Sequence, residues 1–365
     1  MKNIKNPVVL PIDRLTKLWP ALLKKCRIGA VLHPASVGAS LVHSADILRS
    51  HHGELFKLEA LFGPQHGYLG QTQDNMIEWE GYSHPDWNIP VYSLYGEHRE
   101  PSQAMLEGLD ALVVDLQDVG ARYYTFIWTL FLCMRAAEKK GILVVVLDRP
   151  NPINAETVEG PLLDLEYQSF VGLHPIPVRH GKTIGQLAEQ FKREAFPNCE
   201  IIVLPMENYD PKVFFEDTGL PWVIPSPNMP TVDTAVVYPG MCLLEATNIS
   251  EGRGTTKPFE LFGAAYLNGR DLSHKLNNLD LPGVRFREAW FQPTFHKFHG
   301  QLCGGAQIHV LDRKTFLPYQ TAVEIIRLIK KECPEFKWKE PPYEYEFKKL
   351  PIEVLIGGPV TQVFP

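Results

Sequence analysis

No stretch of this 365-residue chain is long and apolar enough to cross a bilayer. The first residues, Met1 to Pro7, carry positive charge but no following apolar run of signal-peptide length, so the expected compartment is the cytoplasm. Excess positive charge is also missing. The formal net charge is -6 and the Lys and Arg residues are scattered, which excludes a general attraction to nucleic acid or to an anionic membrane surface. The six cysteines, Cys26, Cys133, Cys199, Cys242, Cys303 and Cys333, contain no C-x-x-C pair and no close framework. Most sit in apolar runs and read as reduced thiols of a cytoplasmic protein. There is no internal repeat and no low-complexity tract.

Several chemical signatures are absent as well. No G-x-G-x-x-G follows the first predicted strand, and Gly181-Lys182-Thr183-Ile184-Gly185 lacks the phosphate-loop spacing, so no nucleotide cofactor is expected. The G-x-S-x-G elbow of serine hydrolases does not occur. His33, His66 and His180 each follow a predicted strand or loop, but without H-E-x-x-H or H-x-H spacing they read as hydrogen-bonding histidines. The expectation is no metal and no cofactor.

What is present is ordinary globular composition, 45% hydrophobic and 21% charged, on a length that suggests two domains. A helix is expected over Arg14 to Lys25. Predicted strands at Arg27 to Pro34, Phe56 to Phe62, Pro90 to Gly96, Ala111 to Leu116, Leu143 to Asp148 and Glu200 to Leu204 are apolar on both faces. They alternate with predicted helices at Ser44 to His51, Ser102 to Gly108, Tyr124 to Lys140 and Thr183 to Ala195. That pattern implies an α/β fold, a Rossmann-like doubly wound and mostly parallel sheet, assigned to residues 1-225. Pro205 to Pro239 is proline-rich and reads as a linker or rigid loop. Alternating strands at Val284 to Arg287 and Ala306 to Leu311 and an amphipathic helix at Pro318 to Lys331 point to a smaller α+β auxiliary domain over residues 226-365.

The stretch Leu61 to Gly70 organises the first domain. A buried strand runs into three glycines and a proline within ten residues, so the chain turns sharply and sets Gln65 and His66 at a strand's carboxyl end, where open α/β sheets bind ligands. Asp115, Asp118, Arg122 and the run Asp148 to Pro152 gather at other strand ends. Asp115 and Asp148 read equally as caps or arginine partners, and Asp118, further into its loop, as the more exposed acid. Ser250 to Glu260 contains Gly252-Arg253-Gly254 and then Thr and Pro, the pattern of an anion site opening a helix. Tyr92, Tyr95, Tyr123, Tyr124, Trp79 and Trp87 are candidates to stack on a sugar ring.

Taken together, Leu61 to Pro64 with His66-Gly67, Pro90 to Gly96, Asp118 to Gly120, Leu147 to Asn154, Pro177 to Gly181, Ser226 to Pro230 and Ser250 to Glu260 resemble the NamZ-type exo-β-N-acetylmuramidases of bacterial cell-wall recycling. The resemblance runs from about Arg27 to about Leu350. It implies a Rossmann-like domain with an auxiliary domain, an active site in a cleft between them, and release of terminal N-acetylmuramic acid from peptidoglycan fragments. The implied partner is a sugar or muropeptide.

One departure matters. The family carries a glutamate, taken as catalytic, in an F-G-P-E-H-G string, and this chain has Gln65 there. An amide has no proton to give at neutral pH. Downstream, where the family tends to A-Q-A-G-E, the chain reads Thr72 to Glu78, so Asp74 or Glu78 is the expected replacement carboxylate. Substrate assistance is a second route, with Gln65 orienting the 2-acetamido group. Catalytic candidates are thus Gln65, Glu78, Asp118 and Glu251. His66, Arg122, Tyr123, Asn151, His180 and Asn228 are expected to contact the sugar, and Arg253 its lactyl carboxylate. A sugar-binding homologue without turnover is the alternative reading.

Overall fold

Short apolar runs that end in glycine, proline or polar residues become strands here, and longer amphipathic runs become helices. A computed structural model of the chain describes residues 6-70, 72, 73 and 76-364. In chain order the elements are α1 (Leu15–Leu18), β1 (Arg27–Leu32), α2 (Ser44–Ser50), β2 (Lys57–Gly63), β3 (Tyr82–Ser83), β4 (Pro90–Ser93), β5 (Ala111–Asp115), α3 (Phe126–Lys140), β6 (Leu143–Leu147), β7 (Glu159–Leu162) and β8 (Pro177–Arg179). They continue with α4 (Ile184–Glu194), β9 (Ile201–Leu204), α5 (Val232–Met241), β10 (Leu261–Ala264), α6 (Gly269–Asn278), β11 (Val284–Phe291), β12 (Cys303–Val310), α7 (Pro318–Glu332) and α8 (Pro351–Ile356).

The chain forms two compact units, one from residues 1-120, 124-156 and 181-227, the other from 121-123, 157-180 and 228-365. In the first, a seven-stranded sheet has the order β3-β4-β2-β1-β5-β6-β9. All its pairings are parallel except the short β3 edge. Every residue of β5 and β6 is buried, which is why these strands read as unbroken apolar runs. Helix α3 packs Trp128, Phe131 and neighbouring side chains into this core, and Gly141 in the left-handed conformation ends it. Each fully buried aliphatic side chain contributes about 1.5–3 kcal/mol of transfer free energy.

The second unit holds the antiparallel sheet β10-β12-β11 and the β7-β8 pair. The inward face of α7, with Val323, Ile326 and Ile329 buried, matches its sequence periodicity.

Four local expectations are corrected. The helix over Arg14 to Lys25 breaks after Leu18, because Trp19 precedes Pro20 and is extended at ψ 125°; Leu22 ends up 69% exposed. Ser102 to Gly108 makes turns only. Its Ser102 hydroxyl does accept from the Met105 N–H, but no helix grows. No helix opens after Thr255 either: the segment stays in turns, Phe259 takes φ 62°, and strand β10 follows. Finally, the proline-rich stretch to Pro239 is not all loop, since Val232 to Met241 forms α5 with Pro239 inside it.

Candidate active site

Parallel strands put all their carboxyl ends at one sheet edge, and in the first unit the winding reverses between β1 and β5. His33 leaves β1 there and Gln117 leaves β5. The Gln117 N–H donates to His33 Nε2 at 2.9 Å, so the ring proton lies on Nδ1 and is given to the Pro225 carbonyl at 3.2 Å. Burial pushes His33 down to about 3, and it is a neutral tie across the switch point. Asp115 receives the Arg149 guanidinium and the Ser44 hydroxyl. Asp148 accepts from the Gly185 N–H at 2.8 Å and the Thr183 hydroxyl at 3.0 Å, at the start of α4. Both acids therefore serve as partner and cap.

Gln65 follows β2 and is 6% exposed. Its side-chain oxygen accepts from the Thr125 hydroxyl at 2.6 Å, and its amide nitrogen donates to the Tyr95 hydroxyl at 3.0 Å. The Met76 N–H donates to the same Tyr95 oxygen at 3.2 Å. Arg99 lies over the Tyr95 ring, 4.8 Å from its centroid, and pairs with Glu78 at 2.9 Å. A continuous chain of contacts thus runs from Gln65 through Tyr95 and Arg99 to Glu78, whose side chain is half exposed. Asp74 lies outside the described residues.

His66 is buried at φ 69°, a left-handed conformation uncommon outside glycine, and its Nδ1 is 2.8 Å from the Thr72 carbonyl oxygen. The indole of Trp79 donates to the Pro64 carbonyl at 3.1 Å and so ties the loop after β2 to the segment before β4. Asp118, expected to be exposed, is 4% exposed, and one of its oxygens accepts the Gly120 N–H at 2.7 Å. Gly120 is required at φ 86°: a Cβ there would stand 2.6 Å from Asn151 Oδ1. Asn151 itself is spent locally, donating to the Lys182 carbonyl and accepting from the Ile153 N–H.

In the second unit, Arg122 is fully buried and gives its guanidinium to the carbonyls of Pro161, Ile176 and Leu355 at 2.8–2.9 Å. This residue, expected to bind ligand, instead braces three backbone segments. Tyr123 is likewise buried and donates its hydroxyl to the Pro239 carbonyl. His180 and Asn228 are buried.

Arg253 sits between Gly252 and Gly254, both left-handed, which turns its side chain inward. It pairs with Glu245 at 2.8 Å and with Glu251 at 3.4 Å, over the Phe259 ring. Lys297 bonds the other Glu251 oxygen at 2.9 Å, His296 approaches at 3.2 Å, and Tyr343 donates to Glu245 at 2.8 Å. Burial alone would raise Glu251, but Lys297, His296 and Arg253 outweigh it and hold the carboxyl well below its usual range. Glu251, expected as a catalytic group, is therefore a locked counter-ion with no proton to lend at neutral pH. Nη1 of Arg253 is buried without a hydrogen-bond partner.

Sequence reasoning missed Thr125, Arg99, Glu245, His296, Lys297 and Tyr343. Apart from Glu245 and Arg253, which are eight residues apart, they meet partners tens of residues away, and no spacing signals such pairs.

Comparison with known proteins identifies the family. Residues 28–233 match the family profile "Exo-beta-N-acetylmuramidase NamZ, N-terminal", and residues 236–362 match its C-terminal counterpart. The chain belongs to the NamZ family. Among curated NamZ relatives, the peptidoglycan beta-N-acetylmuramidase of Bacillus subtilis is 48% identical over 331 residues, which is 91% of this chain and 79% of that one. Two crystal structures of DUF1343 family proteins from Bacteroides fragilis share the fold. One has a TM-score of 0.83 at 32% identity, covering 91% of this chain and 84% of that chain; the other has 0.74 at 28%, covering 97% and 89%. The fold class expected from the sequence, a mostly parallel α/β sheet with a smaller second part, is that of these DUF1343 structures. Among the described residues no helix is long and apolar enough to cross a membrane, and no group of three or more His, Cys, Asp or Glu is placed to hold a metal.

Proposed function

We propose that this chain is a glycoside hydrolase that removes a terminal N-acetylmuramic acid, or a related 2-acetamido sugar, from peptidoglycan fragments in the cytoplasm. The observation that carries the proposal is the 48% identity, over most of both chains, to the B. subtilis peptidoglycan beta-N-acetylmuramidase. The glycosidic carbon–oxygen bond breaks, the leaving oxygen takes a proton, and water supplies the new hydroxyl. The acetamido carbonyl of the substrate acts as the nucleophile: its oxygen bonds the anomeric carbon as the glycosidic bond breaks, and water then displaces it there and restores the acetamido group. Gln65, with one N–H on Tyr95, offers its second N–H to orient that acetamido group. Asp118 passes the proton to the leaving oxygen, and Glu78, paired with Arg99, draws one from the attacking water. His66 contacts the sugar. The buried Nη1 of Arg253 takes the lactyl carboxylate, which relieves an unmade hydrogen bond.

The test is release of reducing sugar from a chromogenic N-acetylmuramic acid glycoside. Binding of the muramic sugar without release would establish the other reading, a sugar-binding homologue, which the Gln65 substitution motivates. Arg253→Lys should raise KM for the muramic glycoside and leave the N-acetylglucosamine glycoside alone; equal losses on both would remove Arg253 from lactyl recognition.

A further inference from the structure

The antiparallel sheet of the second unit carries a hollow of about 580 Å³, lined by Lys257, Leu261, Arg287, Glu288, Trp290 and Gln307 among others. Trp290 is 52% exposed, a large aromatic surface left in water. Its ring is not free to swing. The indole N–H donates at 2.8 Å to Glu288, two residues back along β11 and therefore on the same strand face. Arg287 is fixed as well: it stands opposite Gln307 in the β11-β12 register and donates to the Gln307 oxygen through Nε at 3.3 Å and Nη2 at 2.8 Å. Among the described residues no carboxylate pairs with Arg287. Lys257, by contrast, is neutralised by Glu260 at 2.8 Å. The hollow therefore runs round the outer edge of β11, with the pinned indole and Glu288 on one face of the strand and, on the other, Leu261, Gln307 and one uncompensated guanidinium with Nη1 to spare.

We propose that this hollow is a second glycan-binding site, which holds residues of a peptidoglycan strand other than the one being cleaved; the proposal rests on the muramidase reading above. The flat C–H face of a pyranose ring suits a pre-oriented indole, which loses little conformational freedom on binding. The lactyl or stem-peptide carboxylates of peptidoglycan suit Arg287. A single unpaired cation beside the Glu288 carboxylate is too little positive charge for a polyanionic backbone.

Calorimetric titration of the full chain tests the assignment with two probes: an uncharged N-acetylglucosamine tetramer, and peptide-bearing peptidoglycan fragments whose non-reducing end is N-acetylglucosamine, which an exo-muramidase leaves intact. Trp290→Ala should weaken both about tenfold. Arg287→Gln should weaken only the carboxylate-bearing fragments. Turnover of the small chromogenic muramic glycoside should stay within about twofold in both variants, since a substrate of one sugar has no further residue to place in a second site. Unchanged binding of both probes in Trp290→Ala overturns the proposal. So does a loss of small-glycoside turnover in step with binding, which would make the hollow part of the main site. A wild-type dimer that Trp290→Ala dissociates in sedimentation also overturns it, as the face would then lie between copies. If the wild type hydrolyses no glycoside yet Trp290-dependent binding persists, the muramidase reading fails and this one stands.

Discussion

Thr125 stands at the N-cap of α3 but gives its hydroxyl to the side-chain oxygen of Gln65, 2.6 Å away, instead of capping its own helix. A threonine cap is worth about 0.5–2 kcal/mol to a helix, and that contribution is diverted to hold one amide. The bond decides which end of Gln65 faces Tyr95. Thr125→Val should therefore leave α3 intact yet free the amide, costing about 1–3 kcal/mol for the buried oxygen left unmatched. Turnover should fall with KM little changed, and Thr125→Ser should restore it. A Thr125→Val enzyme with wild-type turnover would deny Gln65 its fixed orientation any catalytic value.

Gln65→Glu probes the role of the amide directly. An ionised glutamate only accepts hydrogen bonds, so it keeps the Thr125 contact and loses the N–H pair that orients an acetamido group. At neutral pH turnover of the chromogenic muramic glycoside should fall at least about tenfold, equivalent to about 1.4 kcal/mol of barrier. A rise would mean that an acid at this position is what the chemistry wants, and substrate orientation by Gln65 would be abandoned.

Glu78→Gln removes the carboxylate at the far end of the Gln65–Tyr95–Arg99 chain. Because Glu78 is half exposed, melting should shift by no more than about 0.5 kcal/mol in stability. Turnover should drop by about a hundredfold or more if it is the base. Unimpaired hydrolysis would take Glu78 out of the mechanism.

Lys297→Met leaves Glu251 in a buried site with one of its cations gone. Breaking such a cluster typically costs about 3–5 kcal/mol, measurable by urea unfolding. The pH dependence has a defined sign. Glu251 is depressed in the folded state, so its stabilisation is present above the unfolded value of 4.5 and is lost as pH falls below it. Wild type should lose stability on acidification over that range more steeply than Lys297→Met.

Glu159 runs the other way. Its carboxyl is pushed up to about 7, first by burial, while the Gln320 N–H at the start of α7 bonds it at 2.8 Å. A raised carboxyl stabilises the fold fully below 4.5 and loses that contribution as pH climbs through about 7. Glu159→Gln keeps an acceptor for Gln320 and should flatten the decline between pH 5 and pH 8 in thermal melts. An unaltered profile would place the titration elsewhere.

Local sequence alone determined the skeleton. Continuous apolar runs such as Ala111 to Asp115 and Leu143 to Leu147 announce buried parallel strands, because burial on both faces leaves no room for alternation. The same logic put Gln65, His66 and Asp118 at strand ends, and the ordered motif strings gave the family. The breaks that sequence periodicity passed over, Trp19 before Pro20 and Phe259 at φ 62°, come from backbone sterics at single residues. Only the tertiary structure decided which polar groups are tools and which are props. Arg122 could not be known as a brace until Pro161, Ile176 and Leu355 surrounded it, nor Glu251 as a counter-ion until Lys297 closed on it. Apolar pattern is a local property of the chain, whereas the state of a buried charge is set by whichever distant partner the fold brings within about 3 Å of it.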